Sequence, residues 1–179
     1  MLIFKKKGIG IFGGSFDPPH LGHIKVSKIA IQKLKLKKCY WIITKKNPFK
    51  KKPLFSLKER ITKSKKTIKG YKKIEILYLD SKIKSTRTIK VINYFIRKRK
   101  QKNLYLILGS DNLLNFHKWT SWKKIVKLAK LVVFSRKGYN IKSKKSIVVK
   151  YLKNKNIIYI NNKLINISSS LVRKKYLKK

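Results

Sequence analysis

Near the N-terminus the chain reads Gly13-Gly14-Ser15-Phe16-Asp17-Pro18-Pro19-His20-Leu21-Gly22-His23, a set of residue types suited to holding an anion. Two glycines permit a tight turn and let main-chain N–H groups approach a ligand closely. Pro18 and Pro19 fix the path of the chain. A helix is expected to start near Leu21, and its N-terminus favours negative charge. His20 and His23 are three apart and share the first helical turn, so two imidazoles there can donate to phosphate oxygens. The loop lacks the Gly-Lys-Ser/Thr of a Walker loop and the three glycines of the dinucleotide fingerprint. Zinc is a weaker use of the same residues, because His20, His23, Cys39 and His117 have no recognisable ligand spacing. Neither histidine is expected in the core.

A second cluster lies near the C-terminus, where Ser168, Ser169 and Ser170 precede Arg173. Hydroxyls at a helix start cap its orphan N–H groups. Between the two clusters, Leu106-Ile107-Leu108-Gly109-Ser110-Asp111-Asn112 runs from an apolar stretch into a polar turn. Trp119, Trp122 and Arg136 follow.

Elements able to position these residues are visible in the pattern. Six short apolar runs read as buried strands: Gly8–Phe12, Cys39–Thr44, Ile74–Leu79, Leu104–Leu108, Leu131–Phe134 and Ile157–Ile160. Leu21, Ile24, Ile31 and Leu34 are spaced for one helical face, as are Ile89, Ile92 and Ile96. Ser56 with Glu59 three residues on predicts a capping box. Strands alternating with helices predict an α/β fold with a mostly parallel, doubly wound sheet, whose ligand lies beyond the carboxyl ends of the strands.

The 179 residues suit one domain spanning 1–179, with 42% hydrophobic residues to fill a core. Lys and Arg total 50 against 5 Asp and Glu, a net charge of +45. Such a field attracts polyanions, nucleic acid included. The lysines are nevertheless spread over nearly the whole chain, and Lys, Ile and Asn share A/T-rich codons. They read mainly as solvated surface, with no specific nucleic-acid partner expected. One cysteine excludes an intrachain disulfide framework. No uncharged run exceeds nine residues, against about 20 for a membrane-spanning helix. The start lacks the long apolar segment of a signal peptide, so a cytoplasmic location without a membrane partner is expected.

The first loop resembles the signature of the nucleotidylyltransferases that carry an HxGH motif, and Ile167-Ser168-Ser169-Ser170-Leu171-Val172-Arg173 resembles their serine-rich C-terminal turn. Within that superfamily, His20, the Gly109-Ser110-Asp111 segment, Trp119 and the Ser135-Arg136-Lys137-Gly138 element are similar to bacterial nicotinate-nucleotide adenylyltransferases. The resemblance implies a Rossmann-like fold. It also implies adenylyl transfer from ATP to nicotinate mononucleotide in NAD biosynthesis, with Mg²⁺ carried by ATP. His20, His23 and Arg173 would be catalytic. Gly13, Gly14, Ser15, Phe16, His20, His23, Ser168, Ser169, Ser170 and Arg173 would hold ATP. Thr88, Asp111, Trp119 and Arg136 would bind the mononucleotide.

Trp119 has two readings: its indole stacks on a pyridine ring, or it packs in the core as Trp122 is expected to. Asp111 either bonds a ribose hydroxyl or orients loop N–H groups, or it caps a helix starting at Asn112. Arg136 and Lys46 are either phosphate contacts or surface charge. Departures from the family pattern fall at Thr86-Arg87-Thr88-Ile89, where a Tyr and an Asp are missing, at Pro48-Phe49-Lys50, and at the short end after Arg173. The mononucleotide phosphate is already an anionic nucleophile, so transfer would rest on positioning and charge stabilisation. Other acceptors, nicotinamide mononucleotide or phosphopantetheine, and a non-catalytic basic nucleic-acid-binding module are the competing readings.

Overall fold

A computed structural model describes residues 7–46, 52–161 and 169–177, with the side chains of Ser170, Lys175 and Leu177 left out. Six strands, β1 (Ile9–Gly14), β2 (Lys38–Ile43), β3 (Ile74–Leu77), β4 (Leu104–Gly109), β5 (Lys130–Phe134) and β6 (Ile157–Ile160), form one sheet in the order β3-β2-β1-β4-β5-β6. Every pairing is parallel. All six expected strands are present, and the sheet expected to be mostly parallel is wholly so.

Side chains alternate across a strand, so each apolar run feeds both faces of the sheet. One face takes Ile9, Ile11, Tyr40, Ile42, Leu106 and Leu108, and α3 (Thr88–Arg97), α5 (Trp122–Leu128) and α7 (Ile147–Leu152) cover it. The other takes Phe12, Cys39, Trp41, Ile43, Ile107 and Val132, covered by α1 (Leu21–Lys33) and α2 (Leu57–Thr67). Short α4 (Ser110–Leu114) and α6 (Asn140–Lys144) follow β4 and β5, and α8 (Ser169–Leu177) ends the described chain. Among the described residues, no helix is long and apolar enough to cross a membrane.

The stripe expected on α1 needs correcting. Leu21 is 71% exposed, and the buried positions are Gly22, Ile24, Ser27 and Ala30. Ser27 belongs to that face because it is fully satisfied there. Its hydroxyl accepts from Trp41 Nε1 at 2.7 Å and donates to the His23 carbonyl at 2.9 Å. The apolar period alone passes over a serine, although a satisfied hydroxyl is buried at little cost. The capping box of α2 forms as expected: Glu59 N donates to Ser56 Oγ at 3.2 Å, and Ser56 N to Glu59 Oε2 at 2.8 Å.

The described lysines lie on the surface, and only Lys38 and Lys63 are half-buried. Winding reverses between β1 and β4, the neighbours from which the sheet grows in opposite directions. Their carboxyl ends open the crevice in which such sheets bind ligands.

Candidate active site

β1 ends at Gly13 and Gly14, and both line a cavity at the carboxyl end of the sheet. A Cβ added to Gly13 would meet no protein atom within 4 Å. The fold does not demand a glycine there, and a side chain would instead occupy space on the ligand side. Phe16 then takes a left-handed backbone, φ 47°, which a non-glycine residue adopts at a cost of about 1–2 kcal/mol. The turn sends its ring inward to stack on Trp41, centroids 4.7 Å apart, leaving Phe16 2% exposed. Position 16 was expected to hold ATP. Its side chain is spent on packing, and only its main chain remains for that role.

His20 is the N-cap of α1, and the two imidazoles close a reciprocal box. Gly22 N donates to His20 Nδ1 at 3.1 Å, and His20 N donates to His23 Nδ1 at 3.2 Å. The ring centroids are 3.9 Å apart. Because each Nδ1 accepts, the proton that each ring carries in this arrangement sits on Nε2. Burial, reinforced by the charge of Arg136, pushes the His20 pKa down to about 4. His20 is therefore a neutral donor near pH 7. The expectation that neither histidine is in the core holds for half-buried His23 and fails for His20, which is 8% exposed. The helix cap draws it inward.

The two clusters from opposite ends of the sequence meet. Arg173 Nη1 donates to the Asp17 carbonyl at 2.9 Å and to Asp17 Oδ2 at 3.2 Å. Ser169 Oγ donates to the Pro18 carbonyl at 3.2 Å, and Tyr176 packs edge-on against Phe55. Ser168 and the Ser170 side chain lie outside the described residues, as do Pro48, Phe49 and Lys50.

Across the crevice the cavity wall is largely apolar, with Ile11, Ile42, Val91, Leu106 and Trp119 among its members. Thr88, the first residue of α3, also lines it, as do Lys46 and Arg87. Trp119 fits both of its readings: it faces the cavity and also packs on Phe116, with centroids 4.8 Å apart. Trp122 packs on Tyr151 as expected.

Thr88 and Trp119 line this cavity, and Asp111 and Arg136 lie outside its lining. Arg136 acts electrostatically on His20, and its Nε lies 3.9 Å from Asp111 Oδ1. Gly109 caps α4, so Asp111 does not have the helix-capping role considered for it. A Cβ on Gly109 would collide with Asp111 Oδ1 and crowd the Arg136 side chain. The Arg136 main chain is fixed by N–H donation to Ser110 Oγ at 3.0 Å and Asn140 Oδ1 at 2.9 Å. Cys39 is buried in β2, its thiol pushed up to about 12 by that burial, which suits packing rather than ligation.

Three residues that sequence reasoning passed over organise the surroundings. Asp17, 2% exposed, accepts from Leu54 N and Phe55 N, each at 2.9 Å. Asp80 accepts from Thr44 Oγ1 at 2.9 Å and Lys45 N at 2.7 Å. Arg60, 1% exposed, donates to four main-chain carbonyls. A signal for them existed: the chain has five acids and six arginines among 50 basic residues. Where lysine is the default, each Asp and Arg stands out.

Residues 11–175 match the cytidylyltransferase-like family. A Pelagibacter ubique protein, named a probable nicotinate-nucleotide adenylyltransferase, is 46% identical over 95% of this chain and 94% of its own. The chain belongs to the nicotinate-nucleotide adenylyltransferase family. A Clostridium tetani relative of the same name is 36% identical over 96% of this chain and 86% of its own. The Plasmodium falciparum nicotinic acid mononucleotide adenylyltransferase, solved in complex with NaAD, shares the fold with a TM-score of 0.75. Its identity is 24%, over 94% of this chain and 83% of that one. A second structure of that protein, complexed with APC, has a TM-score of 0.74 at 24% identity, with the same coverage of both chains.

Proposed function

We propose that the protein transfers the adenylyl group of ATP to nicotinate mononucleotide, forming nicotinate adenine dinucleotide and pyrophosphate. Family membership supports the reaction class, and the histidine-capped α1 beside Gly13 and Gly14 is the observation that carries it. A phosphate oxygen of the mononucleotide attacks the α-phosphorus of ATP in line. The bond from that phosphorus to the bridging oxygen breaks, and pyrophosphate leaves with the electron pair. The nucleophile is already anionic, so no general base is needed.

His20 and His23 donate through Nε2 to phosphate oxygens as charge builds on them, alongside loop N–H groups and the helix N-terminus. Arg173 and Ser169 close the loop from the far end of the chain. Trp119 and Thr88 receive the mononucleotide in the cavity. Arg136 stands with the phosphates beside His20, and Asp111 lies on the far side of its guanidinium, towards a ribose hydroxyl. ATP arrives as its magnesium complex, with phosphate oxygens and water as the metal ligands. The bonds already made by Asp17 and Asp80 fit that arrangement, because both carboxylates hold main-chain or side-chain donors of the protein. The reaction belongs to the cytoplasm, where both nucleotides are available.

ATP labelled at its α-phosphorus tests the proposal. With nicotinate mononucleotide present, the label is expected in the dinucleotide and absent from the pyrophosphate. Unlabelled dinucleotide or release of labelled ADP would overturn it.

A further inference from the structure

We propose that Arg60 is a positioning residue for the transfer, fixing the distance between the loop after β1 and the cavity wall after β2. This rests on the function proposed above. The Arg60 side chain comes from α2, away from the cavity lining, yet its guanidinium joins three segments of the site's frame. Nη1 donates to the Ser15 carbonyl at 2.7 Å and to the Thr44 carbonyl at 2.8 Å. Nη2 donates to the Lys45 carbonyl at 3.2 Å, and Nε to the Phe55 carbonyl at 3.1 Å.

Two buried carboxylates hold the same segments from the amide side. Asp80 takes Thr44 Oγ1 and Lys45 N, and Asp17 takes Leu54 N and Phe55 N. One segment follows Gly13 and Gly14 directly, and the next contributes Thr44 and Lys46 to the cavity. In the proposed reaction ATP is held against the first and the mononucleotide against the second. Arg60 therefore spans the two reactants without touching either.

The chemistry explains why this position is Arg in a lysine-rich chain. Only a planar guanidinium presents five donors in a fixed fork, whereas an ammonium is a point charge on a flexible stem. Each nucleotide subsite is built locally and survives a change at Arg60. The alignment between the two is what a change would lose, and misplacement by about 1 Å costs a bimolecular transfer on the order of 10²-fold.

Arg60→Lys keeps the charge without the fork, and Arg60→Gln keeps a planar donor pair without the charge. The measurements are kcat with both substrates saturating, per mole of folded protein, and the dissociation constants of ATP alone and nicotinate mononucleotide alone. Both variants are expected to lose roughly 30- to 100-fold in kcat. Each single-substrate constant is expected to stay within about threefold, the signature of an interaction realised only in the transition state. Wild-type kcat in either variant would overturn the inference. So would a loss confined to the binding of one substrate, or failure of both variants to fold, which would make Arg60 a keystone of the fold alone. An inactive wild-type enzyme would instead remove the proposed function.

Discussion

In the loop after β1, the polar side chains of His20 and Asp17 are already bonded to the protein, as is that of Arg173, which reaches the loop from α8. Across the crevice, the cavity that meets Gly13 and Gly14 has walls of strand-end aliphatics and Trp119. The first region holds its donors through buried charges and main-chain bonds, and the second offers mainly a shape. The contrast follows the two tasks. Stabilising charge on a phosphoryl group needs dipoles whose orientation is fixed in advance. Receiving a flat ring needs an apolar slot and few directional groups. Substitutions in the first region should therefore act on turnover, and those in the second on the affinity for one substrate.

The largest effect is expected in the first region. His23→Ala should lower kcat by at least about 10²-fold, the scale of a lost electrostatic donor. His20→Asn should lose activity similarly while keeping its melting temperature, since Asn is a strong N-cap. His20→Ala should lose about 1 kcal/mol of stability as well. Near-normal turnover in His23→Ala would erase the contrast between the regions.

In the second region, Trp119→Ala should raise KM for the mononucleotide about tenfold, roughly 1.4 kcal/mol, and that for ATP by less than about twofold. Steady-state kinetics with each substrate varied in turn measures the ratio. Equal changes in both constants would mean that Trp119 serves packing alone.

A smaller effect separates the regions by pH. The His20 pKa is about 4 in the folded protein and about 6.5 unfolded. Between those values the unfolded chain binds more protons, so the His20 contribution to stability is intact above pH 6.5 and is lost as pH falls towards 4. By pH 4.5 the wild type should have lost about 2 kcal/mol more than His20→Asn, from paired denaturant titrations. Parallel pH curves for the two proteins would mean that His20 is not held neutral by its surroundings.

Much of this division was legible in the sequence. The inner strands announce themselves because they are buried on both faces and read as unbroken apolar runs, such as Leu104–Leu108. The HxGH loop is legible because its glycines and histidines are contiguous. The braces are less so. Arg60, Asp17 and Asp80 act on carbonyls and amides of segments distant in sequence, and a main-chain partner leaves no trace in residue type. Leu21 turns outward for a related reason: the buried Ser27 sets which side of α1 faces inward, as the left-handed turn at Phe16 sends that ring inward. Asp111 follows the cavity strand β4, and its carboxylate lies towards Arg136, a pairing that residue type alone does not reveal.

Acceptor preference tests the proposed transfer most directly. Pyrophosphate release from ATP, followed with nicotinate mononucleotide, nicotinamide mononucleotide and phosphopantetheine in turn, gives kcat/KM for each. The highest value is expected for nicotinate mononucleotide, at least about tenfold above either competitor, a difference of about 1.4 kcal/mol in transition-state binding. A higher value for phosphopantetheine, or no release with any of the three, would contradict it.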